Sequence, residues 1–167
     1  MSGSLLPKPL VDKAREVVHA NRRAGRRVAI AESCTGGLVA AAITEIPGSS
    51  EMFEAAFVTY SNAAKVGQLR VSEELVETFG AVSVAVAWAM ARGALLASEA
   101  DVAVAVTGIA GPGGGSASKP VGTVVFARAE RDADPARIVA DQKLFEDSGR
   151  SGVRLQAALC ALDLLMP

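Results

Sequence analysis

The sequence predicts an α/β fold, a three-layer α/β/α arrangement around a mixed, largely parallel sheet. Three observations predict it. Short continuous apolar runs, "RVAIA", "AAFVTY" and "VAVAV", have the length and composition of strands covered on both faces. Helical stretches alternate with these runs, as parallel crossover connections require. Two strand-like segments then come together near the C-terminal end, which calls for at least one antiparallel strand. The 167 residues suit one domain. Half of them are hydrophobic and only 4% aromatic, so the core is expected to be small side chains, mainly alanine and valine, between closely spaced layers.

Taken in order, residues 1–9 are polar and proline-bearing and read as a flexible lead-in; residues 10–167 read as a single domain. From Leu10, the positions Leu10, Val11, Ala14, Val17 and Val18 recur at helical spacing, and Gly25 is placed to end that helix. Residues 27–31 form a short buried strand. Residues 35–46 form an alanine-rich helix closed by Pro47-Gly48. Residues 55–60 are a second buried strand, after which Ser61 or Asn62 can cap a short helix carrying Lys65. Ser72 opens another short helix that stops at Gly80. Residues 83–97 form a long helix that is apolar nearly all round and is therefore expected to be well buried. The strand of residues 102–106 runs into a glycine-rich loop, residues 107–120. Residues 121–129 and 137–145 pair as a hairpin across "ERDADPA", and residues 151–165 form a final helix.

Composition narrows the function. A formal net charge of −1 exerts no general pull on nucleic acid or anionic membrane. The one basic cluster, Arg22, Arg23, Arg26 and Arg27, reads as cations complementing a helix C-terminus. Two cysteines, Cys34 and Cys160, in no C-x-x-C pair, and one histidine, His19, supply neither a zinc signature nor a disulfide framework. No leader pattern opens the sequence and no apolar run is long enough to span a bilayer. The expectation is a soluble cytoplasmic protein with no metal, no cofactor, no nucleic-acid partner and no membrane partner; assembly with copies of itself is left open.

Chemistry-bearing residues gather in three places. "GPGGGSASK" matches neither G-x-x-x-x-G-K-[ST] nor G-x-G-x-x-G, yet it follows a central strand at its carboxyl end, where α/β sheets hold ligands. It reads as a ligand-binding loop. In "AESCTGG", Ser33 occupies a strand-to-helix turn with Cys34 beside it. The N–H groups of residues 34–37 would suit an anion or a developing oxyanion, although a hydroxyl that merely caps the helix explains part of the pattern equally well. A serine nucleophile needs a base, and His19 reads as a lone surface histidine. The variant without histidine is Ser-Lys, with Lys65 as candidate and Tyr60 placed to relay or orient the proton. On the residues alone, Lys65 reads first as a solvated helix lysine. Glu32, beside Ser33, is a second candidate base.

Together, "AESCTGG", "TYSNAAK", "GAVS", "TGIAGPGGGSASKPVGTV" and "GRSGVR" resemble the CinA C-terminal domain family, and within it the stand-alone nicotinamide-nucleotide amidohydrolases. The resemblance runs in order over about residues 10–165. It implies a three-layer α/β/α fold and hydrolysis of the carboxamide of nicotinamide mononucleotide, a small-molecule nucleotide substrate, to nicotinic acid mononucleotide and ammonia in pyridine-nucleotide salvage. It also implies Ser33, Tyr60 and Lys65 as catalytic residues. Thr35, Gly36, Gly37, Thr107, Gly108 and Arg150 are implied as substrate-binding, with Arg154 in the same late motif as Arg150. Two departures stand out: Val84-Ala85 where the family usually has an acidic residue, and Ser148-Gly149 before Arg150 where it has Gly-Asp. The family also contains competence and damage-inducible proteins, so a nucleotide-binding regulator without turnover is the alternative.

Overall fold

A computed structural model describes residues 3–146 and 148–167. Residues 1 and 2 of the expected lead-in, and residue 147, lie outside the described residues. The described residues form α1 (Lys8–Ala24), β1 (Val28–Glu32), α2 (Leu38–Thr44), β2 (Phe53–Val58), α3 (Asn62–Leu69), α4 (Glu73–Phe79), α5 (Val84–Leu96), β3 (Val102–Gly108), β4 (Thr123–Glu130), β5 (Ala140–Leu144) and α6 (Gly149–Leu164). The strands make one sheet in the order β2-β1-β3-β4-β5. β1 pairs in parallel with β2 and β3, and β4 is antiparallel to β3 and β5. Four strands therefore share one direction and β4 alone opposes them.

The alternation Val-Ala-Val-Ala sorts side chains between the two faces of the sheet, because successive strand residues point to opposite sides. Val28, Ile30, Val102, Val104, Val106, Val124 and Phe126 meet α1, α2 and α6. Ala29, Ala31, Ala103, Ala105, Ala127 and Ala129 meet α5 and the end of α3. This face is mostly alanine, with Val125 and the partly buried Phe57 as its larger strand side chains. α3 presses on α5 at Gly93, where an added Cβ would lie 2.1 Å from the Leu69 carbonyl oxygen. Three layers result, as the sequence predicts.

Three helix starts and the cover of α5 depart from expectation, and the strands expected at 55–60 and 137–145 are Phe53–Val58 and Ala140–Leu144. α1 starts at Lys8, inside the expected lead-in, with a proline at its first positions; the fixed proline φ is already helical. Residues 35–37 are a turn, because Gly36 and Gly37 take φ of 58° and 96°, so α2 begins only at Leu38. α6 begins at Gly149, two residues early. α5 is not covered all round: Val84 and Leu96 are exposed and Trp88 is only partly buried, since α5 lies in an outer layer that α3 and α4 cover in part. Three of the four arginines in the basic cluster are engaged locally. Arg22 pairs with Glu51, Arg27 with Glu54, and Arg26 bonds Asn21 and the Leu165 carbonyl. No helix among the described residues is long and apolar enough to cross a membrane.

Candidate active site

The site lies at the carboxyl ends of β1 and β3, where parallel strands leave their last groups facing solvent. Ser33 follows β1 directly, and its N–H donates to the Val106 carbonyl on β3 at 2.9 Å. The ladder thus extends one residue past the strand and fixes the serine backbone. Alternation sends the side chains of Glu32 and Ser33 to opposite faces. Glu32 is fully buried on the α2 side. Its carboxylate accepts from Thr35 Oγ1 at 2.6 Å, Val39 N at 3.0 Å and Ala40 N at 3.1 Å, which satisfies the orphan donors of the α2 N-terminus. Arg154, from α6, donates to the carbonyls of Cys34 at 3.2 Å and Thr35 at 2.9 Å and so holds the turn from behind.

On the other face, Lys65 comes down from the first turns of α3. Ser61 caps this helix, its hydroxyl accepting from Ala64 N. The Lys65 Nζ lies 2.9 Å from Ser33 Oγ and donates to the carbonyls of Thr59 at 2.8 Å and Tyr60 at 3.4 Å. Lys65 is only 1% exposed, which corrects the reading of a solvated helix lysine. Burial lowers its pKa, since desolvation disfavours the ammonium, and among the described residues no carboxylate bonds it to offset this. An ammonium has an N–H for each of these three oxygens; a neutral amine keeps its two N–H groups for the carbonyls and turns its lone pair to the serine hydroxyl. Burial pushes the neighbouring Cys34 thiol up to about 11, which keeps it protonated at neutral pH and a poor nucleophile.

Ser33 and Lys65 open into a cavity of about 250 Å³. Thr107 and Gly108 form one wall at the end of β3. The Thr107 hydroxyl donates to the Ala81 carbonyl at 3.0 Å, tying the wall to the loop before α5. At Gly108 a Cβ would meet Val124 Cγ2 at 2.7 Å and the Thr123 carbonyl at 2.9 Å, so close pairing with β4 requires glycine there. At the mouth, Arg150 donates to the Gly111 carbonyl at 2.7 Å and to the Tyr60 phenolic oxygen at 2.6 Å.

Six of the expected site residues, Ser33, Tyr60, Lys65, Thr107, Gly108 and Arg150, line this one cavity. Thr35, Gly36 and Gly37 do not, because the turn runs behind Ser33 toward α2. The Thr35 hydroxyl goes to Glu32, the Gly36 N–H goes to the Ser33 carbonyl at 3.0 Å, and Gly37 faces Val58. Tyr60 is 59% exposed; it meets Lys65 through its carbonyl, while its phenol bonds Arg150. It is the carbonyl of Tyr60, not its phenol, that touches Lys65. Sequence reasoning missed Thr59, whose carbonyl holds Lys65, and the grip of Arg154 on the turn. The period-2 alternation through "FVTY" was the available signal for Thr59; nothing local marks the second.

A sheet of this order with a buried lysine against a serine at its parallel-strand ends defines a class, three-layer α/β proteins with a candidate nucleophile turn. The chain belongs to the CinA C-terminal domain family, whose model matches residues 11–167. It is 52% identical to the nicotinamide-nucleotide amidohydrolase PncC of Enterobacter agglomerans, over 93% of this chain and 92% of the relative. It is 49% identical to the protein of the same name from Pseudomonas putida, over 95% and 96%. Among solved structures, the competence/damage inducible protein CihA from Agrobacterium tumefaciens superposes with a TM-score of 0.92 at 47% identity, covering 98% of this chain and 97% of that one.

Proposed function

We propose that this chain is an amidohydrolase that converts nicotinamide mononucleotide and water into nicotinic acid mononucleotide and ammonia, with Ser33 as nucleophile and Lys65 as base. The carrying observation is the 2.9 Å approach of Lys65 Nζ to Ser33 Oγ in a buried setting. The names and near-complete coverage of the amidohydrolase relatives support the substrate. Lys65 takes the hydroxyl proton as Ser33 Oγ bonds to the carboxamide carbon, and the carbonyl electron pair moves to oxygen. The Cys34 N–H, in the turn directly after Ser33, is the proposed donor for that oxyanion. Collapse breaks the C–N bond, the Lys65 proton goes to the departing nitrogen, and ammonia leaves. Water, deprotonated by Lys65, then releases the acid and restores Ser33.

No step uses a metal, so exhaustive chelation should leave the rate unchanged. The test is ammonia release from nicotinamide mononucleotide by the purified chain without added metal. Turnover abolished by Ser33→Ala supports the reading. Saturable nucleotide binding with no ammonia would instead identify a non-catalytic regulator.

A further inference from the structure

Register places three hydroxyl residues side by side at the carboxyl edge of the sheet. Glu32 pairs with Val58 on β2 and with Val106 on β3. The next residues, Thr59, Ser33 and Thr107, continue these pairings through Thr59 N to the Glu32 carbonyl and Ser33 N to the Val106 carbonyl, both at 2.9 Å. Phe57 packs with the α5-side cluster and Val58 faces Gly37 on the opposite side, so alternation returns Thr59 to the side of Lys65. Neighbouring strands lie about 4.8 Å apart, so the three hydroxyls form a row. Ser33 meets Lys65 and Thr107 meets the Ala81 carbonyl. Thr59 Oγ1 is fully buried and has no hydrogen-bond partner among the described residues.

A buried hydroxyl without a partner is costly, and valine would fill the same space without that cost. Alternation puts the unpartnered oxygen on the side of Lys65, whose amine already meets the Thr59 carbonyl at 2.8 Å. We infer that Thr59 is a positioning residue for the proposed reaction: its hydroxyl accepts an N–H of Lys65 while the lysine carries the Ser33 proton. In the neutral amine, the carbonyls of Thr59 and Tyr60 use both N–H groups. The transferred proton adds a third, which the Thr59 hydroxyl accepts between the two transfers and gives up when the proton swings back to the leaving nitrogen at collapse. A spare acceptor lets the ammonium turn from Ser33 without losing its two anchors. The other titratable groups around Lys65 are the Cys34 thiol on the nucleophile turn and the Tyr60 phenol with Arg150 at the mouth. Glu32 lies behind the turn, and Arg92 of α5 lies at the far end of α3.

This inference rests on the serine–lysine reading, and the experiment separates the two. Thr59→Val keeps the shape and removes the hydroxyl; Thr59→Ser keeps the hydroxyl. Losing an acceptor disfavours the ammonium, so Thr59→Val should move the acidic limb of the kcat profile to lower pH. It should also lower kcat about tenfold with KM nearly unchanged, as for one lost hydrogen bond in the transition state, and Thr59→Ser should restore both. The 13Cε resonance of Lys65, assigned with Lys65→Arg, reads the same shift without turnover, so an inactive wild-type chain would sink the amidohydrolase reading and still test this one. A Thr59→Val protein with a higher Tm, an unmoved Lys65 titration and undiminished kcat would overturn the inference and show the hydroxyl to be a packing residue.

Discussion

At the scale of single residues, Ser33 and Cys34 are adjacent and both line the cavity, but only Ser33 touches Lys65. Thiolate is the more reactive nucleophile where it exists; here burial keeps the thiol protonated. Ser33→Ala should therefore abolish ammonia release, while Cys34→Ala or Cys34→Ser retains substantial rate. Loss of activity in the cysteine variants with full activity in Ser33→Ala would reverse the assignment. Lys65 carries the pH dependence. A free lysine has a pKa of about 10.4 and burial lowers it here, so the neutral amine persists to lower pH than in water. The rate should fall as pH drops through that lowered value, along a single acidic limb. Lys65→Arg should be nearly inactive, because guanidinium keeps its proton; an active Lys65→Arg enzyme would mean the lysine supplies only charge. The sequence shows Lys65 on the right edge of the sheet but not its burial. A lysine flanked by alanine and valine on a short capped helix looks solvated until β1 and β2 are known to bring Ser33 and Thr59 beneath it.

At the scale of elements, two joints hold the pair together. One is Glu32, whose carboxylate carries three donors at the start of α2. Glu32→Gln keeps the size and removes the charge that favours a helix N-terminus, so stability should fall by about 1–3 kcal/mol. The acidic limb should stay where Lys65 sets it; a displaced limb would return Glu32 to the role of base. The other joint is Gly93, which lets the Leu69 carbonyl of α3 rest on α5. Leu69 is one turn beyond Lys65, so a Cβ at Gly93 pushes on the helix that carries the base. Gly93→Ala should cost about 1–3 kcal/mol by overpacking and lower kcat more than it changes KM. Unchanged Tm and kcat would show that α3 adapts freely. Neither joint is legible as a joint in the sequence. Glu32 reads there as a second candidate base beside Ser33, and Gly93 is one glycine inside an apolar helix. Strand identity and order of elements were legible, because period-2 alternation and helix caps are local; the left-handed turn at Gly36-Gly37 erased the expected first turn of α2 for reasons of backbone angle.

At the scale of the whole molecule, the cavity mouth is closed by residues that no local pattern unites. Arg150 and Tyr60 are 90 positions apart, yet they bond at 2.6 Å. The same guanidinium reaches the Gly111 carbonyl in the glycine-rich loop. Only packing of α6 against the sheet brings these three together, so resemblance to a family implies their meeting where residue spacing is silent. A guanidinium has five N–H donors in a fixed fork, and these two bonds leave donors over for a ligand. Held on two sides, Arg150 can present them to a phosphate with little further loss of side-chain freedom. If it reads the mononucleotide's phosphate, Arg150→Ala should cost on the order of 1.5–3 kcal/mol in kcat/KM, roughly ten- to a hundredfold, on nicotinamide mononucleotide. The same variant should lose far less on nicotinamide riboside, which has no phosphate to read. The comparison of the two substrates is the decisive measurement, since removing Arg150 also frees the Tyr60 phenol and the Gly111 carbonyl. Disorder of the mouth would depress both substrates equally, and equal losses would therefore make Arg150 a structural clasp between α6, the loop and Tyr60 rather than a reader of phosphate.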